Sequence, residues 1–114
     1  MPYRVGLARV LVAARQLDEA EAQLRGALEL QPDSADARAG YGSLLVARDE
    51  SAQAVAQFER ALALRPDADD IRLDLAVALE RAGRPAEARA EYARLASGRH
   101  TPGDIRKAAK DRLR

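Results

Sequence analysis

Shifted by 34 residues, the sequence falls into register with itself, and a period of that length is characteristic of stacked copies of one supersecondary unit. Arg4, Arg38 and Arg72 coincide, as do Leu7, Tyr41 and Leu75, then Ala8, Gly42 and Ala76, then Leu11, Leu45 and Leu79. In the second half of the period Ala20, Ala54 and Ala88 align, followed by Leu24, Phe58 and Tyr92, then Leu28 and Leu62, then Pro32 and Pro66. Agreement of residue class at so many sites is not a product of chance.

Each period reads as two helices. Leu7, Leu11 and Ala14 fall at helical spacing in the first half, and Ala20, Leu24, Ala27 and Leu28 do so in the second. In the third period the break between them is explicit, with Gly83 suited to the left-handed residue after a helix and Pro85 to the first turn of the next. Between periods, Pro32-Asp33-Ser34 and Pro66-Asp67 stop one helix and offer Asp or Ser to cap its successor. The spacing predicts helices over 3–15, 18–31, 35–48, 52–64, 69–82 and 86–97. Thr101-Pro102-Gly103-Asp104 then reads as a capping box with Pro at the first helical position, opening a last helix to about Leu113. Its apolar stripe, Ile105, Ala108, Ala109 and Leu113, suits a helix that covers the open end of a stack.

The composition supports an all-helical chain. Its 114 residues are 47% apolar, enough for the core of one domain. Alanine dominates while Phe and Tyr together number four and Trp is absent, so close helix approach must do the packing. Where Ala8, Gly42 or Ala76 faces Ala20, Ala54 or Ala88, the two helices can come together, and Leu24, Phe58 or Tyr92 fills the space beside them. Extra bulk at these small sites is expected to overpack the contact at roughly 1–3 kcal/mol each.

With these residues in place, the pattern resembles the tetratricopeptide repeat, whose motif runs W-x2-L-G-x2-Y, then A-x3-F-x2-A, then P over 34 residues. The second period matches best: Tyr41, Gly42, Leu45, Ala54, Phe58, Ala61 and Pro66 stand at the family's spacing. The first keeps Leu7, Ala8, Leu11, Ala20, Leu24, Ala27 and Pro32, and the third Leu75, Ala76, Leu79, Ala88 and Tyr92. Arg4, Arg38 and Arg72 occupy the site of the family's Trp, and Leu95 and His100 replace the last Ala and Pro of the third period. The resemblance implies one all-α domain, a right-handed α-α superhelix. Three helical hairpins, 1–34, 35–68 and 69–100, would be closed by a capping helix over 101–114.

It further implies a concave face, lined by the first helix of each hairpin, that holds a peptide or helix of a protein partner. The positions there outside the buried stripe include Val5, Arg9 and Val12, then Ala39, Gly40, Ser43 and Val46, then Asp70, Leu73, Asp74 and Val77. Such a groove is shallow, rich in small residues and acidic toward its third unit, which fits a ligand with apolar anchors. Chaperone-binding relatives grip acidic tails with Lys, Asn and Arg; here Val5, Arg9, Gly40, Asp70 and Asp74 stand at those places. The two acids would repel a carboxylate, which argues against the C-terminal tails of Hsp70 and Hsp90.

Other chemistry finds little support. No cysteine is present, which removes disulfides and thiolate ligands. His100, the sole histidine, is expected in a surface loop with no partner for base catalysis or metal binding. The acids Asp67, Asp69, Asp70 and Asp74 lack the glycine turn and distal Glu of a calcium loop, and read as a helix N-terminus that one of them caps. No phosphate loop or serine-nucleophile motif occurs, so neither catalysis nor a cofactor is expected. Formal charge is +1, and the basic tail residues Arg106, Lys107, Lys110, Arg112 and Arg114 lack interleaved aromatics, so nucleic acid is not expected as a partner. No apolar run approaches the ~20 residues of a membrane span, so membrane insertion is not expected either. The compartment stays open. Arginine outnumbers lysine 17 to 2, which with the abundant Ala points to a GC-rich bacterial gene on codon grounds. Two alternatives stand beside partner binding. One is a self-assembling scaffold. The other is a segment of a larger bacterial envelope secretion or assembly protein, suggested by a chain that starts almost inside its first helix and stops while its last is running.

Overall fold

In a computed structural model, which describes residues 2–114, the chain is seven helices with no strand among the described residues. They are α1 (Pro2–Ala13), α2 (Leu17–Leu30), α3 (Ala35–Ala47), α4 (Ser51–Leu64), α5 (Asp69–Arg81), α6 (Pro85–Ala96) and α7 (Gly103–Arg112). The ends lie within a few residues of those the apolar spacing predicts, the usual latitude for helix termini. α1 packs on α2, α3 on α4 and α5 on α6, and neighbouring hairpins stack through α2 against α3 and α4 against α5. α7 lies on α6 and also touches α5.

The same joint recurs inside each hairpin. Arg15, Asp49 and Gly83 have φ of 63°, 60° and 78°. In each case the next residue's N–H reaches back over five positions, Gln16 to Leu11, Glu50 to Leu45 and Arg84 to Leu79, at 2.8–2.9 Å. These are Schellman closures, and glycine is the residue that enters them without steric penalty. The sequence advertises the third most plainly, because Arg15 gives no signal for a left-handed residue and Asp49 only a weak one. Between hairpins the caps differ. Ser34 accepts from the Ala37 N–H at 3.1 Å, as expected, but Ala68 takes the corresponding place before α5 and no side chain caps that helix. Neither Asp67 nor its acidic neighbours therefore act as the cap read from sequence.

The expected capping box before α7 also needs correction. The helix begins at Gly103 after Pro102, with no side-chain cap bond, and Thr101 is buried instead. Its hydroxyl lies over Gly98, where a β-carbon would sit 2.0 Å from Oγ1, so the side chain fills the α6–α7 corner rather than the helix end.

Small residues set the helix spacing. Ala8, Gly42 and Ala76 are buried, and a β-carbon on Gly42 would fall 2.8 Å from the Phe58 ring. Phe58 and Tyr92 are fully enclosed, each burial contributing about 1.5–3 kcal/mol. One cluster runs from Leu45 and Phe58 through Leu75 and Tyr92 to Ala109, so α7 completes the core of the two hairpins before it. A second joins Ala8, Leu11, Ala20 and Leu24 to Leu44, which α3 sends back onto the first hairpin.

Candidate partner-binding groove

The stacking places α1, α3 and α5 side by side, and their shared face is concave. α3 approaches α2 closely at Gly40, where a β-carbon would come 2.8 Å from Leu24 Cδ2. Gly40 is thus small because of the core behind it, and its backbone forms the floor of the cleft in front. Ala39 is buried beside it.

That cleft measures about 430 Å³. α1 supplies Arg9, Val12 and Ala13, α3 supplies Ala39, Gly40 and Ser43, and α5 supplies Asp70, Ile71, Leu73 and Asp74. A shallower hollow of about 140 Å³ adjoins it through the shared Ser43 and Asp74, and adds Val46, Phe58 and Val77. Ten of the eleven positions named from sequence therefore meet on one continuous surface. Val5 does not. It is buried in a cluster with Ala27 and Ala37, because α1 turns that side toward α2 and α3. Sequence reasoning missed Ala13, Ile71, Phe58 and, from the far end, Ile105. Ile105 was legible as part of the α7 stripe, but its place at the mouth of the groove follows from how α7 folds back on α5.

Charge is divided across the cleft. Arg9 stands on the α1 wall, and Asp70 and Asp74 stand one turn apart on the α5 wall. Asp74 is open to solvent, yet the cleft crowds its carboxyl. Burial first, then repulsion from Asp70, push it up to about 6, and Arg9 opposes that rise.

On the opposite side, a larger cleft of about 630 Å³ is lined by Glu21, Arg25, Arg38, Tyr41, Arg48 and Gln57 among others. Most of its charged groups already serve the fold. Arg48 donates to Glu21 and, at 2.8 Å, to Asp18, linking α3 to α2, and Arg25 pairs with Glu21 at 2.6 Å. Its hydrogen bond to Arg48 holds the Glu21 carboxyl below its usual range. Arg38 is committed to Gln57. His100 is exposed in the α6–α7 loop, and among the described residues no group of three or more His, Cys, Asp or Glu could hold a metal. In the basic tail Arg112 pairs with Glu80 at 2.9 Å and Arg114 with Asp111 at 3.7 Å.

Comparison with protein families finds tetratricopeptide-repeat models matching residues 42–105, more than half of the chain, and residues 3–44. The chain belongs to the tetratricopeptide-repeat family. No curated protein matches it. Tetratricopeptide repeats are in general protein–protein interaction modules, so the broad reading of the chain as such a module holds, and the family is typically non-enzymatic. The repeat fold also explains why the groove is built from first helices: the second helices, α2 and α4, are spent joining one hairpin to the next. None of the described helices is long and apolar enough to cross a membrane.

Proposed function

We propose that the face formed by α1, α3 and α5 binds a peptide or helix of a protein partner, with hairpins 1–34, 35–68 and 69–100 and the cap 101–114 acting as one domain. The observation that carries this reading is the cleft between Arg9 on one wall and Asp70 and Asp74 on the other, floored by Ala39 and Gly40. Apolar Val12, Leu73 and Ile105 offer surface for an apolar anchor, and Val46 and Val77 extend it. Acid on the α5 wall disfavours a carboxylate-ended ligand such as an Hsp70 or Hsp90 tail. Short apolar pockets with a few polar groups at the rim suit helix-in-groove or extended-peptide recognition.

The test uses the full chain as bait for a random displayed-peptide library, followed by anisotropy titration of the enriched peptides. Ser43→Arg combined with Val77→Glu places bulk and charge across the groove while both positions remain only half-buried. Binding is expected to be lost in this variant with its helical circular dichroism retained. Unchanged affinity would sink the assignment.

A specific observation favours a second reading, self-association through the first hairpin. Val10 is 64% exposed, whereas its counterparts one and two periods on, Leu44 and Ala78, are fully buried by the hairpin before them. Val10 thus presents a stacking position without a cover. If copies stack there, sedimentation of the wild type will show mass rising with concentration, and Val10→Asp will abolish the rise.

A further inference from the structure

We propose that the groove selects a partner segment carrying a lysine or arginine beside its apolar anchor, with the cation placed between Asp70 and Asp74 and the anchor over Ala39 and Gly40. This inference rests on the groove reading above and adds the chemistry and orientation of what fills it.

The first support is where charge has been left over. Ion pairs between elements neutralise some of the acids, while others, those of the cleft among them, are left without one: Arg48 takes Asp18 and Glu21, Arg65 takes Asp36, Arg72 takes Glu91, and Arg112 takes Glu80. Among the described residues, neither Asp70 nor Asp74 has an ion pair within 4.0 Å. Two like charges four residues apart on one helix repel each other, and Arg9 on the far wall opposes that only from beyond ion-pair distance. A cation from outside would relieve it.

The second support is the setting. Both carboxylates line a cleft whose other walls are largely aliphatic, Val12, Leu73 and Ile105 among them. Apolar walls exclude water once a ligand is seated, and charge attraction strengthens as water leaves. An apolar anchor and a neighbouring cation therefore reinforce each other, where either alone would bind weakly.

The third is polarity across the groove. Arg9 faces the acids from α1, so a ligand cation is repelled from that wall and drawn to α5. The bound segment is accordingly oriented, its basic side toward α5 and its neutral or acidic side toward α1. Complementary charge of this kind fixes register and suppresses wrong partners more than it adds raw affinity.

Two displayed-peptide libraries test this against the full chain. Both hold Leu-x-x-x-Z with the x positions and flanks randomised; Z is Arg in one and Glu in the other. Binders are expected from the Arg library, with affinity falling about tenfold or more in Asp70→Asn/Asp74→Asn. The same peptides should weaken as salt is raised. Equal recovery from the Glu library, or Arg-library binders indifferent to the Asn pair, would overturn the inference. The Ser43→Arg/Val77→Glu variant separates the two failures. If it abolishes binding while the Asn pair does not weaken it, the charge inference fails and the groove stands. If binding survives both variants, or no peptide is recovered from either library, both fail. A melt of the Asn pair at or above the wild-type temperature shows that any loss is not unfolding.

Discussion

Arg72 donates to Glu91 Oε1 at 2.9 Å, tying the first helix of the third hairpin to its second across 19 residues of sequence. The same offset recurs one and two periods earlier, with Arg38 donating to Gln57 at 3.4 Å and Arg4 to Gln23 at 3.3 Å. At the site where the family often carries Trp, this chain repeats a guanidinium strap instead. Only the third strap meets a charged acceptor, and there the Arg72 side chain is 14% exposed.

Arg72→Met should therefore destabilise by about 1.5–3 kcal/mol, the range for hydrogen bonds to charged groups. Arg38→Met, which loses a longer bond to a neutral amide, should cost less than about 1 kcal/mol. Urea denaturation compares the two directly. A double-mutant cycle with Glu91→Gln isolates the pair's charge, and a coupling near zero would show that Arg72 acts through packing and its 3.0 Å bond to the Pro66 carbonyl instead.

Gly42 and Gly6 make a matched test of helix spacing. A methyl at Gly42 would meet three Phe58 ring atoms at 2.8–2.9 Å, whereas one at Gly6 has nothing within 4 Å. Gly42→Ala should cost about 1–3 kcal/mol through overpacking, less the gain in helix propensity. Gly6→Ala, with no collision, should stabilise by about 0.5–1 kcal/mol. Opposite shifts in melting temperature are expected. Equal shifts would mean that α3 and α4 can part without loss.

Asp49 holds φ of 60° at a joint where the third hairpin uses Gly83. An L residue there costs roughly 1–2 kcal/mol, softened for Asp, while Gly adds unfolded-chain entropy. Asp49→Gly should stabilise by about 0.5 kcal/mol on balance. Arg15 occupies the first hairpin's version of the site but also donates to the Ala47 carbonyl at 3.2 Å, so Arg15→Gly should gain less. Thermal melts of both variants decide the order.

The repeat made the fold legible because each hairpin must present its small residues and its Leu, Phe or Tyr at the same heights to stack. Ala8, Gly42 and Ala76 were readable for that reason. The groove was readable by subtraction, since what does not pack inward on α1, α3 and α5 faces the hollow. Subtraction failed at Val5, where contact with Ala27 and Ala37 depends on the angle between helices. It also missed Ile105, which reaches the groove only because α7 folds back over α5. The Arg-to-Gln and Arg-to-Glu straps were visible as an aligned column of arginines, but their partners lie on another helix and no local pattern marks them.

Asp74 makes stability depend on pH in a direction opposite to that of a salt-bridged acid. Its carboxyl is raised to about 6 in the folded chain, above its ordinary value of 3.8, by burial and by Asp70. Between those values the native state binds more protons than the unfolded state, so this group's contribution is full below 3.8 and is lost as pH rises through 6. Asp74→Asn removes the ionisation. The variant should melt higher than the wild type at pH 7.5, and the gap should close as the pH falls toward 4.5. Solvent access to the groove limits the size of the gap, so its pH dependence is the measurement that matters. A difference that stays constant across that range would show that Asp74 ionises in the groove as freely as in the unfolded chain.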